Sequence, residues 1–308
     1  MNIKELEREL CSYGIEDGRG ETYLIVERLF GVSRASLVLD RERDFASAEL
    51  DELLKKRKDR IPLQYIFGDW EFMGKKFFVS EDCLIPQPDT EILTEKAIEI
   101  LKKWQDVVEN AEGKMKNTKL NPNIEVKLQN DMQVADLCTG SGCIAISTLA
   151  HRPDCKALAV DLFPETLALA RHNAERNGVA DRLKFQQADV LDPRILDGEA
   201  PFDAILSNPP YIPSTTVDTL DPELAFEPRA ALDGGEDGLI FYRAIVKNFA
   251  QHLTPKGFIL FEIGYDQEQA LKAIAASCGF VCSVERDLAG NPRVARLDRR
   301  KDHYGTNH

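Results

Sequence analysis

Asn208-Pro209-Pro210-Tyr211 is the stretch of this chain with the most evident chemistry. It follows Phe202-Asp203-Ala204-Ile205-Leu206-Ser207, a run that reads as a buried strand. Two consecutive prolines can neither continue a strand ladder nor enter a helix interior, so the backbone is expected to be extended with its carbonyls unpaired. A rigid loop of free acceptors beside an aromatic ring suits the gripping of a planar NH2 group. An amide nitrogen is a poor nucleophile because its lone pair is delocalised. The Asn208 side-chain oxygen and the Pro209 carbonyl can accept its two N–H bonds, and Tyr211 can stack on its flat face. Held so, the nitrogen faces an electrophile and is eased toward pyramidal geometry. Transfer then rests on positioning and on electrostatics matched to the transition state, with no strong base needed beforehand. Tyr211 is not expected to be that base, since a phenol's reference pKa is about 10.

Upstream lies a glycine loop, Asp136-Leu137-Cys138-Thr139-Gly140-Ser141-Gly142, after another strand-like run. Gly140 and Gly142 let the backbone approach a ligand and turn sharply into a helix, whose N-terminus offers N–H donors to an anion. No Gly-Lys-Ser/Thr follows, and Cys138 and Ala145 break the G-x-G-x-x-G pattern. The loop therefore fits a nucleoside without a pyrophosphate, such as S-adenosylmethionine, or else is a plain strand-to-helix turn. Asp161 ends the next strand and can accept both ribose hydroxyls, or cap the helix that begins near Pro164. Asp189 can accept from an adenine amino group, with Val190 as an apolar wall, or be a solvated turn residue. Glu262 ends a later strand and can face the same cleft or be structural. Nothing near Cys138 in sequence activates it as a nucleophile. Together these residues point to methyl transfer onto an amino or amide nitrogen.

The elements that must position them fall into two patterns. From 132 onward strands and helices alternate: strands at 133–137, 156–161, 183–188, 202–207, 257–263, 280–285 and 293–297, and helices at 143–151, 165–177, 237–253 and 267–277. Such alternation predicts a mostly parallel sheet wrapped by helices, with ligands at the carboxyl ends of the strands. The glycine loop, Asp161, Asp189 and Asn208 all fall at such ends. Residues 1–62 carry helical signals without strands. Ile3, Leu6 and Leu10 share a face, Gly31 stops a helix over 21–30, and Ser33 and Ser47 are N-caps. The cations of Lys55-Lys56-Arg57-Lys58 are expected at a solvated helix end. Residues 63–88 read as a hairpin linker, with a helix running on from Asp89 or Thr90 to Trp104. The polar stretch 106–131 shows no periodicity and is expected to be a mobile insertion within the 89–308 domain.

At 308 residues the chain has room for two domains, and 43% hydrophobic content supports a substantial core. A formal charge of −13 does not suit a protein whose main task is holding a nucleic-acid backbone. The seven cysteines are irregularly spaced. Cys278 and Cys282 lack the second pair or histidines of a zinc site, so no metal is expected and free thiols in a reducing compartment are. No run approaches the roughly 18 apolar residues of a membrane span. The expectation is a cytoplasmic protein with no membrane partner.

With these motifs in view the chain resembles, over nearly its whole length, the peptide chain release factor glutamine N5-methyltransferases (the PrmC/HemK family). The likeness includes Pro62-Leu63-Gln64-Tyr65-Ile66-Phe67-Gly68, Leu84-Ile85-Pro86-Gln87-Pro88-Asp89-Thr90-Glu91, the 136–142 loop, Asn208–Tyr211 and Asp233-Gly234-Gly235-Glu236-Asp237-Gly238-Leu239. Adenine-N6 DNA methyltransferases share the Asn-Pro-Pro-Tyr motif, and the Pro62 and Leu84 segments narrow the match. The resemblance implies a Rossmann-like class I S-adenosylmethionine-dependent methyltransferase domain behind a small N-terminal helical domain that docks the substrate. It implies release factors as partners, without direct contact to nucleic acid, and the glutamine of their Gly-Gly-Gln motif as the methyl acceptor. Cys138, Thr139, Gly140, Ser141, Gly142, Asp161, Asp189, Val190 and Asn208 would bind the cofactor, and Asn208, Pro209, Pro210 and Tyr211 the glutamine. Related activities on ribosomal protein L3 or on DNA adenine are the alternatives. Gln87 stands where the family usually has Arg, a change that touches docking or loop anchoring rather than transfer geometry. Cys138 stands where it usually has Gly, which suits the loop if no positive φ is needed there. Val190 stands near where some members carry an aromatic, and the 106–131 insertion is longer than expected for the family.

Overall fold

The computed structural model describes residues 1–39, 42–116 and 131–300. They form two compact units, Met1–Asp69 with Asp221–Phe226, and Trp70–Leu220 with the chain from Glu227 onward.

The first unit is helical: α1 (Ile3–Ser12), α2 (Gly18–Phe30), α3 (Arg34–Leu39), α4 (Ala48–Lys58) and α5 (Leu63–Phe67). Its helix ends are set by local chemistry. Asn2 and Glu5 form a reciprocal capping box, Ser47 caps α4 through the Leu50 N–H, and Gly31 and Gly68 close α2 and α5 in the left-handed conformation. Leu6, Leu10, Ile25, Leu37, Phe45 and Leu50 fill the core. Arg57 departs from the expected solvated run. It is 1% exposed and donates to both carboxylate oxygens of Glu21, to the Ile61 carbonyl and to Glu223. The α4 register turns this one cation inward while its three neighbours in the run serve the helix end. Such a charge stays buried only because its donors are satisfied; stripping its partners would cost about 3–5 kcal/mol.

The second unit opens with a hairpin, β1 (Asp69–Phe72) and β2 (Lys75–Phe78), and a long helix, α6 (Pro88–Lys116). The sheet strands are β3 (Met132–Leu137), β4 (Cys155–Asp161), β5 (Leu183–Gln187), β6 (Phe202–Ser207), β7 (Leu253–Glu262), β8 (Phe280–Arg286) and β9 (Pro292–Arg299). Helices α7 (Cys143–His151), α8 (Pro164–Arg176), α9 (Ser214–Val217), α10 (Arg229–Leu232), α11 (Ile240–Phe249) and α12 (Glu268–Ser277) connect them. The order is β5-β4-β3-β6-β7-β9-β8, parallel except where β9 runs antiparallel to β7 and β8. This is the Rossmann-like α/β arrangement the alternation predicts. One apolar layer joins α6 and α7 to the sheet through Leu93, Leu101, Ile146 and Phe258. The other joins α11 and α12 through Tyr242, Ile245, Leu271 and Phe261. No helix among the described residues is long and apolar enough to cross a membrane.

The register decides the site. Leu137 pairs with Val160 on one side and Ser207 on the other, and Ser207 pairs with Phe261. The next residues, Cys138, Asp161, Asn208 and Glu262, therefore share one rim, at the point where the strand order reverses between β3 and β6.

Several boundaries differ from those read in the sequence. Residues 63–67 make a helical turn rather than part of a hairpin, because Gly68 at φ 73° ends a helix there. The stretch beginning at 106 continues α6 to Lys116, as its Glu, Ala, Lys and Met residues favour helix; residues 117–130 lie outside the described residues. Helix α11 starts at Ile240 because Gly238, at φ 72°, breaks the backbone before it. Strand β7 begins at Leu253, opposite Phe202, across an irregularity that precedes the regular ladder from Phe258.

Candidate active site at the carboxyl rim of the sheet

A cavity of about 290 Å³ opens at this rim. Its floor is the 138–141 loop. Asp161 and the turn carrying Asp189 and Val190 form one side, and Asn208 and Pro210 the other. The segment Asp82–Gln87 and the residues around α10 complete it. Leu162, Phe163 and Leu191 stand at its wall while more than a third exposed, so an apolar ring system seated there would cover them.

The glycine loop is shaped by its own backbone. Gly140 and Gly142 hold φ of 56° and 80°, and a Cβ on Gly142 would come within 2.7 Å of Ile146 Cδ1. Cys138 also adopts φ 60°, so the left-handed backbone that would suit glycine is required here after all. Its thiol packs against the apolar layer under the sheet, where burial pushes its pKa up. That agrees with Cys138 not being an activated nucleophile. Asn173 of α8, fully buried, fixes the loop from behind: its Nδ2 donates to Ser141 O and Phe78 O, and its Oδ1 accepts from Phe78 N.

Asp161 sits at the end of β4. One carboxylate oxygen accepts from Gly140 N at 3.0 Å, the other from Phe163 N at 3.2 Å. Each oxygen keeps a lone pair for a diol, and burial raises this carboxyl above its usual range. Asp189 accepts from Leu191 N at 2.8 Å, and Val190 is buried beside it. Asp136, at the base of the loop, is completely buried. Its Oδ2 accepts from Thr139 Oγ1 and Ala145 N, and its Oδ1 has no partner among the described residues. Burial pushes its pKa to about 7.

Of the four loop residues after β6, Asn208 and Pro210 line the cavity, whereas Pro209 and Tyr211 do not. Asn208 Nδ2 donates to Thr90 Oγ1 at 3.1 Å, which leaves its oxygen for another donor. Tyr211 is held from two sides. Its carbonyl accepts from Gln267 Nε2 at 2.9 Å, contrary to the expectation of unpaired carbonyls along the loop, and its hydroxyl donates to Glu262 Oε1 at 3.3 Å. Burial and then the Glu262 charge raise its phenol well above the usual range, which excludes a base role near neutral pH. Glu262 is buried, does not line the cavity and meets this loop from within, which is the structural one of the two roles open to it in the sequence.

Thr90 and Glu227 carried no assignment to this site from the sequence. Thr90, read in the sequence only as a possible start of a helix, lies in the first turn of α6, directed at Asn208. Glu227, buried with its pKa raised to about 7 by burial, accepts from Ile85 N and so ties down the Asp82–Gln87 wall. Gln87 lines the cavity. A buried Glu such as Glu227 has no local signature, since its partner lies far along the chain.

The residues present fit S-adenosylmethionine. The paired lone pairs of Asp161 suit a ribose, the unsubstituted Gly140 leaves open space beside the loop, and the exposed Leu162 and Phe163 give an apolar seat for a base. Comparison with known proteins points the same way. A family model described as the PrmC N-terminal domain matches residues 3–68, and one described as the Methyltransferase small domain matches residues 118–240. The release factor glutamine methyltransferase of Geobacter sulfurreducens is 34% identical over 290 residues, covering 92% of this chain and 91% of its own. That of Moorella thermoacetica is 33% identical over 305 residues, covering 97% and 98%.

Proposed function

The chain belongs to the release factor glutamine methyltransferases, and from that premise we propose that it methylates the side-chain amide nitrogen (N5) of the glutamine in the Gly-Gly-Gln motif of peptide chain release factors. S-adenosylmethionine, when bound, supplies an electrophilic methyl group. The single observation that carries the reading is the placement of Asn208. Its carboxamide lines the same cavity as the glycine loop and Asp161, with its nitrogen already committed to Thr90.

The chain's own residues then have distinct tasks. Thr139, Gly140, Ser141 and Gly142 with Cys138 shape the cofactor bed, Asp161 takes the ribose, and Asp189 and Val190 flank the base. Asn208 Oδ1 accepts one N–H bond of the glutamine amide from the cavity wall, and the carbonyl of Pro209, the next residue and itself outside the cavity lining, is proposed to accept the other, so that the nitrogen is held toward the methyl donor. The two prolines keep that pair of acceptors rigid, so little reorganisation accompanies transfer. Tyr211, fastened to Gln267 and Glu262, acts by anchoring the loop more than by stacking. The proton leaves the nitrogen as or after the new bond forms. The N-terminal helical unit is assigned to docking of the release factor, and a cytoplasmic location goes with that substrate.

Asn208→Ala removes one of the two acceptors. Transfer to release factor should fall by at least about 100-fold, while S-adenosylmethionine binding by calorimetry stays measurable. An Asn208→Ala enzyme with wild-type turnover would sink this mechanism.

A further inference from the structure

Asn208 can serve as an acceptor only if its carboxamide is turned the right way, and a carboxamide has two nearly isosteric orientations. The structure shows what chooses between them. Thr90 Oγ1 lies 3.1 Å from Asn208 Nδ2 and 2.5 Å from Glu262 Oε2. Thr90 and Glu262 are each 2% exposed, so water does not substitute for either partner. The three residues come from separate parts of the fold, the first turn of α6, the loop after β6 and the end of β7.

A threonine hydroxyl has one hydrogen. When Glu262 is ionised that hydrogen goes to the carboxylate, so Thr90 can only accept from Asn208. Asn208 then turns its NH2 inward and its Oδ1 toward the cavity, as the reading above requires. When Glu262 carries a proton and donates it to Thr90, the hydroxyl hydrogen is released toward Asn208. The carboxamide reverses and presents N–H groups to the N–H groups of the substrate amide.

We propose that Thr90 is a positioning residue: its hydroxyl, oriented by the Glu262 carboxylate, fixes which edge of the Asn208 carboxamide meets the amide to be methylated. The inference rests on the assignment of Asn208 as substrate acceptor and explains how that acceptor is set.

The surroundings of Glu262 make the relay sensitive to pH. Tyr211 donates to its second oxygen, and Tyr242 donates to its backbone carbonyl at 2.9 Å. Asp89 and Arg293 lie nearby, paired to each other at 3.0 Å, and Arg293 also meets Asp287 at 3.2 Å. Cys143 feels the Glu262 charge from α7. Burial dominates and raises the carboxyl to about 7, with Asp89 acting in the same direction and Thr90, Tyr211 and Arg293 against it. The ionised form is the competent one. Turnover therefore rises with pH through neutrality and is lost on the acid side.

The test is steady-state transfer to unmethylated release factor by wild type, Thr90→Val, Thr90→Ser and Glu262→Gln between about pH 5.5 and about pH 8.5, with S-adenosylmethionine binding followed by calorimetry. Thr90→Val should lose about 100-fold in kcat, with KM and cofactor affinity changed by less than about threefold. Thr90→Ser should recover to within about threefold of wild type, because it restores the hydroxyl. Glu262→Gln keeps an acceptor for Thr90 but cannot ionise, so its profile should lose the acid limb. Wild-type kcat in Thr90→Val, equal damage in Thr90→Ser, or an unchanged acid limb in Glu262→Gln would each overturn the relay. If Thr90→Val no longer binds cofactor, the Glu262→Gln profile decides alone. An active wild type with an indifferent Thr90→Val removes the relay and spares the functional reading; a wild type that methylates no glutamine removes both.

Discussion

One carboxylate and one carboxamide carry the proposed site, and they are set by partners that differ in kind. Asp161 is held by backbone N–H groups of Gly140 and Phe163, so its orientation follows from the main chain. Asn208 is held by a side chain, Thr90, and depends on a second residue beyond it. Asp161→Asn must turn its NH2 against either Gly140 N–H or Phe163 N–H, so one of the two backbone bonds is lost. Either way the ribose acceptor pair is broken, and S-adenosylmethionine affinity should drop by about 10-fold or more in calorimetry. Affinity equal to wild type would show that Asp161 supports the loop without meeting the cofactor. Cys138 illustrates a residue at odds with its backbone. At φ 60° a non-glycine side chain costs about 1–2 kcal/mol, and its packing against the apolar layer offsets part of that.

The Asn208–Tyr211 loop is kept in place by the segment that follows it. Ile212 bridges Asp233, Ile212 N donates to Leu232 O, and Gly234 N donates back to Ile212 O. Gly234 passes so close that a Cβ would stand 2.7 Å from Tyr211 Cα and 2.8 Å from the Pro210 carbonyl. Gly234→Ala must therefore push the two segments apart. We expect a loss of stability of about 2 kcal/mol or more by denaturant unfolding, together with reduced turnover at saturating cofactor. An unchanged midpoint and turnover would mean that the segments separate freely. Strand and helix types around this loop were legible in the sequence because alternation and the glycine stops are local signals. Phe202–Ser207 was bounded correctly for that reason, and Cys143–His151 likewise. The inward turn of Arg57, the reach of Thr90 to Asn208 and the anchoring of Tyr211 by Gln267 were not. Each depends on a partner brought close only by folding.

For the molecule as a whole, the parallel register gathers at one rim residues separated by more than a hundred positions in the chain, and the chemistry follows from that convergence. The family assignment names the reaction, and we propose how this chain performs it: an acceptor pair at Asn208 and Pro209, a polarity set from behind by Thr90 and Glu262, and a cofactor bed built on Asp161 and the glycine loop. The most direct measurement is incubation of the full chain with purified unmethylated release factor and S-adenosylmethionine, followed by peptide mass spectrometry. The expected result is a single added methyl on the glutamine of the Gly-Gly-Gln peptide and on no other residue. An unmodified glutamine, with cofactor binding intact by calorimetry, would contradict the assignment of the substrate.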